Sequence, residues 1–133
     1  MKTNIKIIIN LEPITKKNSQ RIFINRKTRK PFIMPSAKYK EYESAAAAHI
    51  KYNGDPINEP VNIKCLFYMK TKRRVDLVNL LEAADDMLVK HRVIEDDNNT
   101  IIKGHDGSRV LYDKEKPRTE IYITTFGDGT PQQ

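Results

Sequence analysis

One cysteine, Cys65, stands in 133 residues. It has no partner for an internal disulfide, so the chain is not a cystine-stapled secreted scaffold. The three histidines, His49, His91 and His105, are scattered. With one cysteine they build no zinc pattern. Long apolar runs are also missing. The N-terminal stretch that ends at Asn10 is too short and too interrupted for a signal peptide or a membrane span. No membrane association is expected, and the cytoplasm is the expected location. There are no internal repeats and no low-complexity tract. Apolar residues make up 38% and charged residues 31% of the chain. That balance suits one globular domain with its own core and argues against wholesale disorder.

Acid is scarce where base is abundant. Residues 1–74 hold 17 Lys+Arg against 5 Asp+Glu, whereas residues 75–133 hold 7 against 12. The chain as a whole is at +7. Such asymmetry points to an anionic polymer, nucleic acid first, although basic residues also serve plain solubility.

Asn4–Leu11 reads as an isoleucine-rich strand, followed by a polar loop over 13–19. Arg21–Asn25 and Pro31–Met34 read as two short strands joined by the basic turn Arg26-Lys27-Thr28-Arg29-Lys30. That tip suits either a phosphate-contacting finger or an ordinary exposed turn. Ser36–Asn53 reads as a helix, with Ser36 as its cap and Ala45–Ala48 as a strong helix former. Val61–Met69 is apolar enough for a central strand. A basic link, Lys70–Arg74, leads to a second helix over Asp76–His91. Thr100–Lys103 and Ser108–Tyr112 read as a hairpin across His105-Asp106-Gly107. Thr119–Thr125 is a last strand, and 126–133 a flexible tail. The expectation is one α+β domain over 1–125, a mixed sheet with two main helices packed on it.

The acid is concentrated in residues 76–97, inside this basic chain. On the second helix Leu77, Leu80, Leu81, Ala84, Met87 and Leu88 form an apolar stripe. Asp76, Asn79, Glu82 and Asp86 share another flank, at spacings where like charges repel. Asp85, at about 180° from Asp76 on the helical wheel, reads as solvated surface. Carboxylates crowded together are tolerated when a divalent cation sits among them. From Asp76 to Asp86 the helix advances about 15 Å, so one ion needs further ligands from elsewhere. Glu95-Asp96-Asp97, folding back over the helix, could supply them. Two or three carboxylates from different elements would make a magnesium site for phosphodiester hydrolysis. A solvated helix face followed by a polar turn accounts for the same residues. Tyr39, Tyr42 and Tyr52 read as packing residues before base-stacking ones, Cys65 as buried, and the histidines as surface or capping residues.

Arg73-Arg74 before Asp76-Leu77-Val78-Asn79, then Asp86-Met87-Leu88, then Asp96-Asp97 form a spaced series. With Lys16-Lys17-Asn18-Ser19, Pro35-Ser36 before Tyr39, and Lys116-Pro117-Arg118-Thr119-Glu120, it resembles the RusA family of Holliday junction resolvases, found largely in phages and prophages. The resemblance covers all but the tail. It implies a magnesium-dependent homodimer, with manganese able to substitute, that cuts branched DNA in a bacterial cell or phage-infected host. It assigns catalysis to Asp76 and Asp97, with Asp96 beside them as a metal ligand. Two positions depart from the family. Val78 stands where a second Asp is expected, and Glu82 where a lysine is expected. Glu82 is the expected replacement carboxylate, both metal ligand and catalytic residue. Lys90 and Lys103 are candidates for the displaced lysine. Lys16, Lys17, Arg21, Lys72, Arg73 and Arg74 are the expected DNA contacts. The departures keep an alternative open: a catalytically impaired protein that binds branched DNA as an accessory factor.

Overall fold

Alternation of buried and exposed residues sets the sheet. A computed structural model describes residues 2–15, 20–35 and 37–127. In chain order the elements are β1 (Asn4–Ile9), β2 (Gln20–Ile24), β3 (Pro31–Pro35), α1 (Ala37–Ala46), β4 (Val61–Met69), α2 (Leu77–Lys90), β5 (Ile102–Gly104), β6 (Arg109–Tyr112) and β7 (Arg118–Thr125). Five strands form one mixed sheet in the order β1-β7-β4-β5, with β6 also on β4. β7 is antiparallel to both β1 and β4, whereas β5 and β6 run parallel to β4. β2 and β3 make a separate antiparallel ribbon. This is a single α+β domain.

Successive side chains on a strand point to opposite faces. The register lines up Ile5, Ile123 and Ile63, then Ile7, Ile121 and Cys65, then Ile9, Thr119 and Phe67. Most of these side chains are fully buried, with Ile5 packed at their margin. Leu80, Ala84, Met87 and Leu88 of α2 and Ala46 of α1 pack in the same core. Each fully buried aliphatic side chain of this size contributes about 1.5–3 kcal/mol. The other sheet face is charged. Lys6, Tyr122 and Lys64 stand side by side, and the two ammonium groups lie 5.5 and 4.7 Å from the tyrosine ring centroid.

Three expectations change. First, residues 100–112 do not form a hairpin. β5 lies along the start of β4 and β6 along its end, both in the same direction. A turn closed by Ser108 N donating to His105 O, with Gly107 at φ 88, interrupts the lane without reversing it. Asn62 of β4 holds this turn, accepting from Asp106 N at 2.8 Å and donating to Asp106 O at 3.2 Å. Second, the first helix is shorter than its alanine content suggests. It tightens into a 3-10 turn over Ala47–His49, and Ile50 is extended. Core packing of Ile50 and Tyr52 outweighs local helix propensity there. The Ser36 cap and residues 128–133 of the tail lie outside the described residues. Third, Asp85 is buried, for a reason that belongs to the site. Tyr39 and Cys65 are buried as expected, and Tyr42 and Tyr52 pack against the core. Among the described residues, no helix is long and apolar enough to cross a membrane.

Candidate active site and nucleic-acid surface

Helix α2 carries the acid, and both of its ends are built by side-chain and backbone chemistry. Asp76 is the N-cap, with Oδ1 accepting from Val78 N at 2.9 Å. That bond satisfies one of the free donors of the first turn, and the helix dipole favours its negative charge. At the other end Arg92 N donates to Val89 O and Val93 N to Leu88 O. With Arg92 at φ 59 this is a Schellman closure, built on arginine where glycine is usual.

The chain then leaves toward residue 57 instead of folding back along the helix. Ile94 bridges to Ile57, and Glu95 N donates to Ile57 O at 2.9 Å. Asp96 accepts from Asp97 N at 2.8 Å and from Asn98 Nδ2 at 3.0 Å. Asn98 in turn accepts from Thr100 N. Asp96 and Asp97 are exposed on this folded loop. They follow the C-terminal end of α2, whereas Asp76 stands at its N-terminal end. The 14 helical residues advance about 21 Å between those ends. Among the described residues, no group of three or more His, Cys, Asp or Glu side chains could hold a metal ion.

Glu82 is exposed on the flank of α2 that also carries Asp86. This flank faces α1. Burial first, then Glu43, Tyr42, Asp86 and Glu82, push the Tyr39 hydroxyl far above the ordinary tyrosine range. Val78, in the first turn of the same helix, is 67% exposed.

Of the candidate lysines, Lys90 Nζ is 2.7 Å from Glu43 and ties the end of α2 to α1. Lys103 is exposed on β5. Lys72, Arg73 and Arg74 are exposed before the Asp76 cap, and Lys72 Nζ lies 5.1 Å from the Tyr112 ring centroid. Lys70 N donates to the Glu12 carboxylate at 3.3 Å, which brings the segment after β1 beside this basic link. Lys16 and Lys17 lie outside the described residues, and Arg21 is described only as part of β2.

The sequence reading missed the role of Asp85. It is 8% exposed, and its Oδ2 lies 2.9 Å from His105 Nε2. The hydrogen bond to Asp85 raises the His105 pKa above the ordinary histidine value, against the lowering effect of burial. No local signal marked it: a helix linking parallel strands is covered over a wider arc than its apolar stripe, and the parallel course of β5 and β6 along β4 is not apparent in the sequence.

The sequence reading also left Arg118 without a role. Its guanidinium lies 3.8 Å from the Tyr68 ring centroid and bonds Glu120 at 2.7 Å and Asp113 at 2.9 Å. Tyr122 first, then Arg118, hold Glu120 below the usual carboxylate range. The Lys116–Glu120 segment is therefore a brace on the charged sheet face.

A small basic α+β domain, with exposed carboxylates flanking one helix at both ends and exposed cations leading into it, has the surface of a protein that handles a phosphate polymer. Residues 10–124 match the family described as endodeoxyribonuclease RusA, and the chain belongs to that family. No individual curated protein matches it.

Proposed function

We propose that the protein is a structure-selective DNA endonuclease that resolves four-way junctions and related branched DNA by magnesium-dependent phosphodiester hydrolysis, acting as a homodimer. The observation that carries this reading is the family match over residues 10–124, which takes in Asp76, Asp96 and Asp97. Asp76, Glu82, Asp96 and Asp97 are the candidate metal ligands, and because the length of α2 stands between Asp76 and the Asp96-Asp97 pair, one ion would take only those near one end of the helix. They are exposed oxygen donors, which suit a hard cation, with manganese as a substitute. Magnesium keeps several waters and takes one or two carboxylates plus substrate phosphate, so a three-donor cage is not required beforehand. When bound, it would lower the pKa of a water and neutralise charge on the scissile phosphate.

The chain's own residues supply the rest. Lys72, Arg73 and Arg74, with Lys16, Lys17 and Arg21, would hold backbone phosphates. Lys103 has no ion pair among the described residues and is a better candidate to stabilise the leaving group than Lys90, which is paired to Glu43. Two strands cut at a junction call for two sites, which a symmetric dimer supplies. The place of action would be the cytoplasm of a bacterial cell or phage-infected host.

The test is incubation of synthetic four-way junctions and linear duplex with a magnesium titration. Paired nicks in the junction, lost in Asp97→Asn, support the proposal. The exposed Val78 in a ligand position and the ungathered carboxylates favour a second reading, a branched-DNA-binding accessory protein without catalysis. Junction binding without cleavage, unchanged in Asp97→Asn, would select it.

A further inference from the structure

The β2–β3 ribbon is hydrogen-bonded to no strand of the main sheet. Residues 13–40 carry nine Lys+Arg and no Asp or Glu. Four of those cations, Arg26, Lys27, Arg29 and Lys30, crowd the exposed tip. None forms an ion pair with a described residue. The tip has a defined shape. Asn25 Oδ1 accepts from Lys27 N at 2.9 Å and Thr28 N at 3.0 Å. Asn25 O accepts from Arg29 N at 2.7 Å, and Arg29 sits at φ 58. Just below the tip, Ile24 pairs with Pro31. Ile24 is 68% exposed and Pro31 is exposed too. An exposed apolar pair crowned by four cations that form no ion pair among the described residues has two demands, a polyanion and a flat apolar surface beside it. Nucleic acid meets both, through its phosphates and its base stack. The DNA major groove admits a two-stranded ribbon, and isoleucine and proline are among the side chains that wedge between base steps.

We infer that the β2–β3 ribbon is a DNA-gripping arm, its tip cations on backbone phosphates and Ile24 with Pro31 seated against base pairs loosened beside the branch point. The branch point is taken from the proposed function, whereas the grip on DNA is not. An acidic protein would satisfy the cations but give the apolar pair no stacked surface.

The experiment uses the full chain, without divalent metal, and a four-way junction carrying 2-aminopurine beside the branch. Wild-type binding is expected to raise the fluorescence as bases unstack. Changing Arg26, Lys27, Arg29 and Lys30 together to Gln should lower the slope of log affinity against log salt by about 3 to 4. Ile24→Ser should keep the salt slope but lose the fluorescence rise, with affinity for linear duplex nearly unchanged. All five positions are exposed, and Ile24→Ser is read independently of the charge variant. Wild-type fluorescence and salt slope in both variants would overturn the arm. So would competition by polyglutamate as strong as that by DNA. Cleavage in magnesium is scored separately. Wild-type protein that binds through the arm but never cuts removes the nuclease reading and leaves the arm standing. Cutting with normal binding by both variants removes the arm alone.

Discussion

His105 Nε2 lies 2.9 Å from Asp85 Oδ2, joining the turn between β5 and β6 to the middle of α2. Asp85 Oδ1 is buried with no hydrogen-bond partner among the described residues. The contact fixes the crossover helix against the strand lane that follows it, through one ionisable pair. A charged group with a half-satisfied partner at that place makes the packing sensitive to proton concentration.

The sign follows from His105. Its folded-state pKa is raised, by the Asp85 hydrogen bond first, with smaller contributions from the charges of Asp85 and Asp106. The stabilisation is therefore fully present below the unfolded value of about 6.5 and is lost as pH rises through the folded value. A charge-assisted hydrogen bond of this kind contributes about 1.5 kcal/mol. Thermal melting of wild type and His105→Gln should differ by several degrees at pH 6 and converge at alkaline pH. Asp85→Asn should shrink the gap between wild type and His105→Gln at pH 6. A gap that did not depend on pH would remove the ionic account.

Asp76 is both a helix cap and a proposed metal ligand, and two substitutions separate these roles. Asp76→Ala loses the bond to Val78 N and should cost about 1 kcal/mol of stability along with cleavage. Asp76→Asn keeps an acceptor at the cap, so it should melt within a degree or two of wild type and still lose cleavage by about a hundredfold or more. Urea unfolding and a junction-cutting assay measure the two effects separately. A fully active Asp76→Asn would leave the residue with capping alone.

Arg92 holds a left-handed conformation at the helix end where glycine bears no Cβ penalty. Arg92→Gly should raise stability by up to about 1 kcal/mol, an increase of a few degrees in Tm. A fall in Tm would mean that the exposed arginine side chain contributes more than its backbone strain costs.

Glu82→Gln tests whether a carboxylate one turn along the helix replaces the one absent at Val78. Cleavage should fall by about tenfold or more with the fold intact, and higher magnesium should recover part of it. Full activity at the wild-type magnesium requirement would rule out the replacement. Val78→Asp in the Glu82→Gln background should restore cutting if the ligand has moved along α2.

The elements that bury a regular apolar pattern were legible in the sequence. Val61–Met69 and the helix that begins at Asp76 carry strong periodicities, whereas the capping bond of Asp76 to Val78 N is seen only in the structure. The β2–β3 ribbon was legible too, because a polar basic turn separates two short apolar runs. The direction of 102–112 was not. A turn signature such as Asp106-Gly107 does not distinguish reversal from interruption, and here Asn62, 44 residues away in sequence, decides it. Asp85 was misread because a helical wheel reports the helix alone, not which strand later covers it. Asp76, Asp96 and Asp97 were singled out through the family resemblance, not through a local pattern. Their separation along α2 depends on where Ile57 captures the chain after Ile94, and no local pattern encodes that.

The interrupted lane of β5 and β6 also governs how this molecule meets its own kind. A sheet margin that presents a long unbroken row of amides and carbonyls invites strand-by-strand growth into aggregates. Here that margin consists of one three-residue and one four-residue strand, broken by the His105–Ser108 turn. Another chain could zip along either piece for only a few residues before losing register. A pairing of two copies would therefore have to draw its strength from side chains, not from a shared β-ladder at that margin.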